Sequence, residues 1–229
     1  MMILGQTTTL FDWSWVSRNL DNIWDRTVEH LTLTGVAIGF GLLFSVALAS
    51  AALKWPRIYE PLASFSGVLY TIPSLAVFAL VAPLVGIGTP TERFITAEVA
   101  LISYTFLILI RNIVTGIRGV AVETTEAAFG MGYRRSQVRR SIEVPLALPV
   151  IMAGIRIATV TVIGLVTVTS LLGLGGLGFF ILDGLRRSII FPTEIIVGVV
   201  LSVALAAILD LALLWLGRAV TPWAEKGIS

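Results

Sequence analysis

Few side chains in this sequence are equipped for bond chemistry. There is one histidine, His30, and no cysteine, so a Cys-ligated metal site, a disulfide framework and a thiol nucleophile have no residues to build them. An enzyme working inside a membrane would need a Ser/His site, paired aspartates or a metal cluster at bilayer depth. His30 instead lies at the edge of the first apolar run, and Asp210 is the only aspartate within any such run. Gly173, Gly175 and Gly178 do satisfy G-x-G-x-x-G, with Glu194 about where a ribose-binding acid is expected. Their flanks are lipid-soluble and no strand pattern precedes them, so the glycines are read as serving tight packing and irregular backbone rather than a dinucleotide. A phosphate loop of the form G-x-x-x-x-G-K-S/T is also absent, which excludes an ATPase of that class. What remains is charge in unusual places: Arg111, Arg156 and Asp210, each embedded in apolar sequence.

The elements that hold these charges must be membrane spans. Of the 229 residues, 56% are hydrophobic and 13% charged, with a mean hydropathy of +0.94, values that place the chain in a bilayer and its fold among all-α polytopic membrane proteins. A spanning helix needs roughly 20 apolar residues, and five segments qualify, at about 31–53, 62–86, 94–118, 146–172 and 195–217. The second is interrupted by Pro73 and Pro83. Together they define a transmembrane domain over 31–217, preceded by an N-terminal segment 1–30 and followed by a tail 218–229. The first thirty residues lack a basic start followed by an apolar core, so no cleavable signal peptide is expected. From Trp13 to Leu31 apolar residues recur at helical spacing, and two readings stand: a helix lying at the interface, or a helical lead-in to the first span.

Basic residues choose the orientation, because short cytoplasmic loops hold the excess of Lys and Arg. With the N-terminus outside, the inner segments contain nine (Lys54, Arg57, Arg118, Arg134, Arg135, Arg139, Arg140, Arg218 and Lys226), and the outer ones five (Arg18, Arg26, Arg93, Arg186 and Arg187). The expected arrangement is N-out and C-in. The net charge of +2 then reflects topology and lipid headgroups, and no nucleic-acid partner is implied. In this frame Arg111, Arg156 and Asp210 share one depth, about seven residues or roughly 10 Å from the cytoplasmic ends of their helices. An unpaired charge there costs at least ~2 kcal/mol, so Asp210 should pair with Arg156 or Arg111. The alternative is that both arginines snorkel to inner headgroups. Glu98 and Arg93 fall near the outer end, where they are expected to meet water.

The longest polar interruption, 123–149, lies on the cytoplasmic side. Thr124 or Thr125 could cap a helix with Glu126 in its first turn, Gly132 permits a turn, and Ser136 could cap a second helix that Pro145 stops. Two short helices presented to the cytosol are expected. Here Glu126, Ala127, Ala128, Gly132, Ile142, Pro145 and Pro149 reproduce the order and spacing of a known loop. The segment resembles the EAA loop of ABC-importer permeases, departing from it at Val144, where the family usually has Leu. The resemblance implies the type I importer permease fold, with a coupling helix seated in a groove of an ATPase subunit. Small residues at Ala127 and Ala128 would permit close approach, and Glu126 would anchor the contact.

Five stretches extend the likeness to the osmoprotectant branch, whose members carry glycine betaine, choline or carnitine: TIPSLAVFALVAPLVGIGTP from Thr71, IRNIVTGIRGV from Ile110, EAAFGMG from Glu126, AGIRIATV from Ala153 and GLGGLGFFILDGL from Gly173. The resemblance implies a non-catalytic subunit of the inner membrane with no cofactor of its own. ATP and magnesium would be held by the partner ATPase, an external binding protein would deliver the solute, and a second permease, a copy or a paralogue, would complete the pathway. Aromatic faces suit a trimethylammonium group, which makes Tyr70, Phe78, Tyr104 and Phe106 pathway candidates beside their role in packing. The competing readings are another importer branch, for methionine or a different small solute, and a free-standing channel, which would need no docking loop.

Overall fold

The computed structural model describes residues 10–187 and 190–223. The first nine positions of the N-terminal segment and the last six of the tail, Lys226 included, lie outside the described residues. Among the described residues four helices are long and apolar enough to cross a membrane, and a bent pair makes five if it is counted as one span.

A short helix α1 (Trp13–Arg18) precedes α2 (Leu20–Lys54). Asp12 caps α1, accepting the backbone N–H groups of Ser14 at 2.8 Å and Trp15 at 3.2 Å. The Ser14 hydroxyl, and after it the Trp15 N–H, hold the Asp12 carboxyl below the usual carboxylate range. Trp15 meets Phe180 and Phe191 edge-on, and the Asp12 N–H donates to Thr193 Oγ1 at 2.9 Å. The Trp13–Leu31 segment is thus two elements broken at Asn19: α1 is docked on residues Phe180, Phe191 and Thr193 of the chain's later helices, and the remainder is continuous with span one. At 35 residues, α2 is about 52 Å long and overshoots a ~30 Å hydrocarbon core.

Span two is bent by 102° between α3 (Tyr59–Thr71) and α4 (Ser74–Val85). Pro73 causes the break: it has no N–H for the ladder, and it drives Ile72 into the extended region (ψ 129°). Pro83, by contrast, is accommodated inside α4. The next helix, α5 (Pro90–Arg118), opens with a capping box in which Glu92 N–H donates to Thr89 Oγ1 at 3.2 Å and Thr89 N–H to Glu92 Oε2 at 3.1 Å. It is the central helix, packed against α2, α3, α4 and α8.

Hydrophobic attraction between helices is weak in lipid, so close approach of small residues does the packing. A Cβ on Gly41 would lie 2.2 Å from Thr105 Oγ1, and one on Gly154 would lie 2.5 Å from Asn112 Cβ. Leu33, Ala37, Ala97, Ala100, Leu101 and Val162 belong to one core cluster, and Ala49, Ala52, Ile110 and Val114 to a second, nearer the loop. After the loop helices α6 (Val122–Gly130) and α7 (Arg135–Val138) come α8 (Val144–Val166), a 3-10 turn (Thr167–Leu172), α9 (Gly178–Arg186) and α10 (Pro192–Val220), which packs on α8 and α9.

Candidate coupling loop and intramembrane site

The loop between α5 and α8 is a bracket of two short helices. Helix α6 begins at Val122, one turn earlier than Thr124 or Thr125 would allow as caps, with Ala121 at the cap position. Thr125 instead turns its hydroxyl back to the Val122 carbonyl at 2.8 Å. At the other end Gly132 takes φ +86°, the Tyr133 N–H reaches Ala128 O at 3.1 Å and the Gly132 N–H reaches Phe129 O at 2.9 Å. This Schellman arrangement satisfies the last carbonyls and reverses the chain.

The second half differs from expectation. Ser136 is not a cap: α7 begins at Arg135, and the Gln137 amide oxygen accepts the Arg134 N–H at 2.7 Å. Nor does Pro145 stop a helix. A π-turn over Arg139–Glu143 bonds Val144 N–H to Arg139 O. This widened turn lets Pro145 enter the first turn of α8, where its missing N–H is tolerated. Helical structure therefore runs from Arg135 to Leu172, and span four is rooted in the loop itself.

Glu126 and Ala127 are exposed on α6, whereas Ala128 is fully buried. The smallness of Ala127 thus keeps an outer face low, while that of Ala128 serves packing within the chain. Val122, Phe129, Met131 and Tyr133 add exposed apolar surface around them. Ile142 and Pro145 are not on α6: they sit in the π-turn and the first turn of α8. With Leu146 and Trp223 they line a shallow hollow at the root of the bracket, beside the end of α10.

Of the three intramembrane charges, the structure joins two. Arg156 Nε donates to Asp210 Oδ1 at 2.8 Å and Arg156 Nη2 to Asp210 Oδ2 at 2.7 Å, the two-pronged geometry in which guanidinium and carboxylate match best. Arg111 is exposed on α5 and makes no ion pair among the described residues. The pair bridges α8 and α10 with side chains 29% and 30% exposed, so one side of it opens out of the bundle.

Three of the four aromatic candidates gather at the bend of span two. Tyr104 donates its hydroxyl to the Ile72 carbonyl, which the Pro73 break leaves without a helical partner. The Tyr70 ring stands 5.9 Å from that of Tyr104, and Phe78 packs in the same core. Tyr70 is exposed and Phe78 buried. Phe106 is apart, packed against Ala49, Ala52 and Ile110.

Two residues given little weight by the sequence prove central to the end of the bundle opposite the loop. His30 is fully buried. Its Nδ1 accepts the Leu177 N–H at 3.3 Å, which leaves Nε2–H to donate to Ile163 O at 3.1 Å. One imidazole thereby pins the glycine-rich segment to α2 and α8. Gly175 and Gly176 have positive φ, and a Cβ at Gly176 would lie 2.6 to 2.8 Å from His30 backbone and Cβ. The signal that could have found this was a lone histidine at the same depth as a glycine cluster. Glu98, expected to meet water, is 5% exposed, and among the described residues neither carboxylate oxygen has a hydrogen-bond partner. It lies on the face of α5 that two turns later carries Thr105, the residue against Gly41, so packing covers it. Glu194 is no ribose ligand: Arg187 holds it in a two-pronged ion pair, with its Nε 3.0 Å from Glu194 Oε2.

Comparison with known proteins places this architecture. Residues 33–223 match the model of the binding-protein-dependent transport system inner membrane component family. The chain belongs to that family. Among its relatives, the glycine betaine/carnitine/choline transport system permease protein OpuCB of Bacillus subtilis is 37% identical, over 89% of this chain and 90% of the relative. The choline transport system permease protein OpuBB of the same organism is 38% identical, over 86% and 88%. A solved structure of the MetNI methionine ABC transporter, in an inward-facing conformation, aligns with TM-score 0.75 at 20% identity, over 92% of this chain and 100% of that one. Such a likeness defines the fold, that of a type I importer permease. As an inner membrane component of a binding-protein-dependent system, with at least four apolar helices of spanning length among the described residues, this family member is a multi-pass protein of the plasma membrane.

Proposed function

We propose that this chain is the permease subunit of an ATP-driven importer for a quaternary-ammonium osmoprotectant of the glycine betaine, carnitine or choline type. The carrying observation is the pair of relatives at 37% and 38% identity over most of both chains, whose names specify those solutes. The loop supplies the mechanism. Helix α6 presents Glu126 and Ala127 to a groove on an ATPase subunit, which binds ATP and magnesium. Closure of two such subunits pushes α6, and the Gly132 reversal passes the displacement into α7. Because the helix from Arg135 continues into α8, movement of the bracket is movement of span four. The Arg156–Asp210 pair would carry it on to α10.

The orientation in this reading is N-out and C-in. The end of the bundle that carries α6 and α7 also gathers Lys54, Arg57, Arg118 and Arg218, as an inward-facing end should. An external binding protein delivers the solute to the opposite end, a second permease subunit completes the path, and the exposed Tyr70 ring at the bend offers a face for the trimethylammonium cation. Co-purification tests the docking role. Wild-type chain co-expressed with the ATPase of an osmoprotectant importer should retain it, and Glu126→Lys should lose it while still reaching the membrane. Retention by Glu126→Lys at the wild-type level would contradict the assignment of α6.

A further inference from the structure

A second site stands beside the coupling bracket. The end of α2 and the α7 to π-turn segment enclose a cleft of about 680 Å³, into which Lys54, Arg135, Arg139 and Arg140 project with the Ser50 and Ser136 hydroxyls. Its lining contains no acidic side chain. Among the described residues Glu143 is the carboxylate within ion-pair distance of these cations, 3.4 Å from Arg139 Nε, and the other three make no ion pair. Three unpaired cations converging on one concavity repel one another unless an anion is held among them.

The surroundings say which anion. Lys54 lies 4.7 Å over the Trp55 ring, and Trp55 is 55% exposed, the disposition of an aromatic residue at the headgroup level of a bilayer. Along α2 the cleft continues into lipid-compatible surface: Leu43, Ala47, Ser50 and Lys54 follow one another at helical spacing on one stripe, and Leu43 and Val46 are 61% and 46% exposed. A soluble phosphate would use the cations and leave the apolar stripe without a partner. A phospholipid uses both.

We propose that the cleft holds the phosphate headgroup of an anionic phospholipid of the inner leaflet, with its acyl chains along the Leu43–Val46 stripe. Basic pockets between helices at that face are built for such headgroups. The lipid would bridge the end of span one to the root of the coupling bracket, so the charge of the membrane would bear on how α6 motion reaches α8. The binding claim needs only a membrane chain with its loop end inward; the coupling consequence rests on the permease reading.

Native mass spectrometry of the purified full-length chain in detergent, titrated with phosphatidylglycerol, phosphatidylcholine or inorganic phosphate, tests binding without requiring transport. Phosphatidylglycerol should be retained in preference to phosphatidylcholine. Lys54→Gln combined with Arg140→Gln should weaken it about thirtyfold, roughly fivefold for each cation removed, whereas Arg186→Gln at the opposite end should not. Should the double variant misfold, raising salt on the wild type must release phosphatidylglycerol and spare phosphatidylcholine. Equal retention of the two lipids, wild-type affinity in the folded double variant, or displacement of phosphatidylglycerol by inorganic phosphate would each overturn the proposal. Failure of ATP-driven transport with lipid preference intact would instead fall on the permease reading.

Discussion

Arg156 and Asp210 are the residues whose loss should be felt first. Their two short hydrogen bonds tie α8 to α10 at a depth where an isolated charge is disfavoured. Removing one partner strands the other, whereas removing both removes the problem. Arg156→Gln and Asp210→Asn should each lower the apparent melting temperature in detergent by several degrees, and the double variant should recover part of the loss. Arg111→Gln, at an exposed side chain, should stay near wild type. An equal effect of all three single variants would mean that charge at this depth, rather than pairing, is what matters. The sequence narrowed Asp210 to two partners by depth alone. Choosing between them required the azimuth of each helix, because Arg111 faces outward on α5 while Arg156 faces α10.

At the scale of elements, glycine separates two kinds of constraint. At Gly132 nothing lies within 4 Å of an added Cβ, so only its positive φ resists substitution, at about 1 kcal/mol. At Gly176 an added Cβ runs into the His30 backbone, which cannot yield without moving α2. Gly132→Ala should therefore insert and assemble with weakened coupling of ATPase activity to solute, whereas Gly176→Ala should accumulate poorly, as membrane-fraction immunoblots and size-exclusion profiles would record. Spans one, three and five were readable from apolar length, and the Gly132 turn from its residue type. The course of the chain at its prolines was not. Pro73 and Pro145 look alike in sequence, yet Pro73 breaks its helix by 102° while the π-turn before Pro145 lets the helix pass. Hydropathy registers neither the bend at Pro73 nor the widened turn before Pro145. Glu98 was misplaced for a related reason: nearness to a span's end sets depth, but burial depends on which face packs.

For the whole molecule, orientation and cargo are the two properties that the assignment requires. Because the sequence has no cysteine, single-cysteine variants report sidedness against a silent background. Thr91→Cys, exposed at the start of α5, should react with a membrane-impermeant maleimide in intact cells, and Ser136→Cys, exposed in the bracket, only after the membrane is opened. The reverse pattern would invert the topology and put α6 out of reach of any cytoplasmic ATPase. The central claim is tested most directly by uptake in proteoliposomes containing this permease, its partner permease if one is required, the ATPase and the binding protein. The account predicts ATP-dependent accumulation of radiolabelled glycine betaine, choline or carnitine that excess methionine does not suppress and that Glu126→Lys abolishes. Accumulation that proceeds without ATP, or that methionine suppresses while quaternary-ammonium solutes do not, would contradict it.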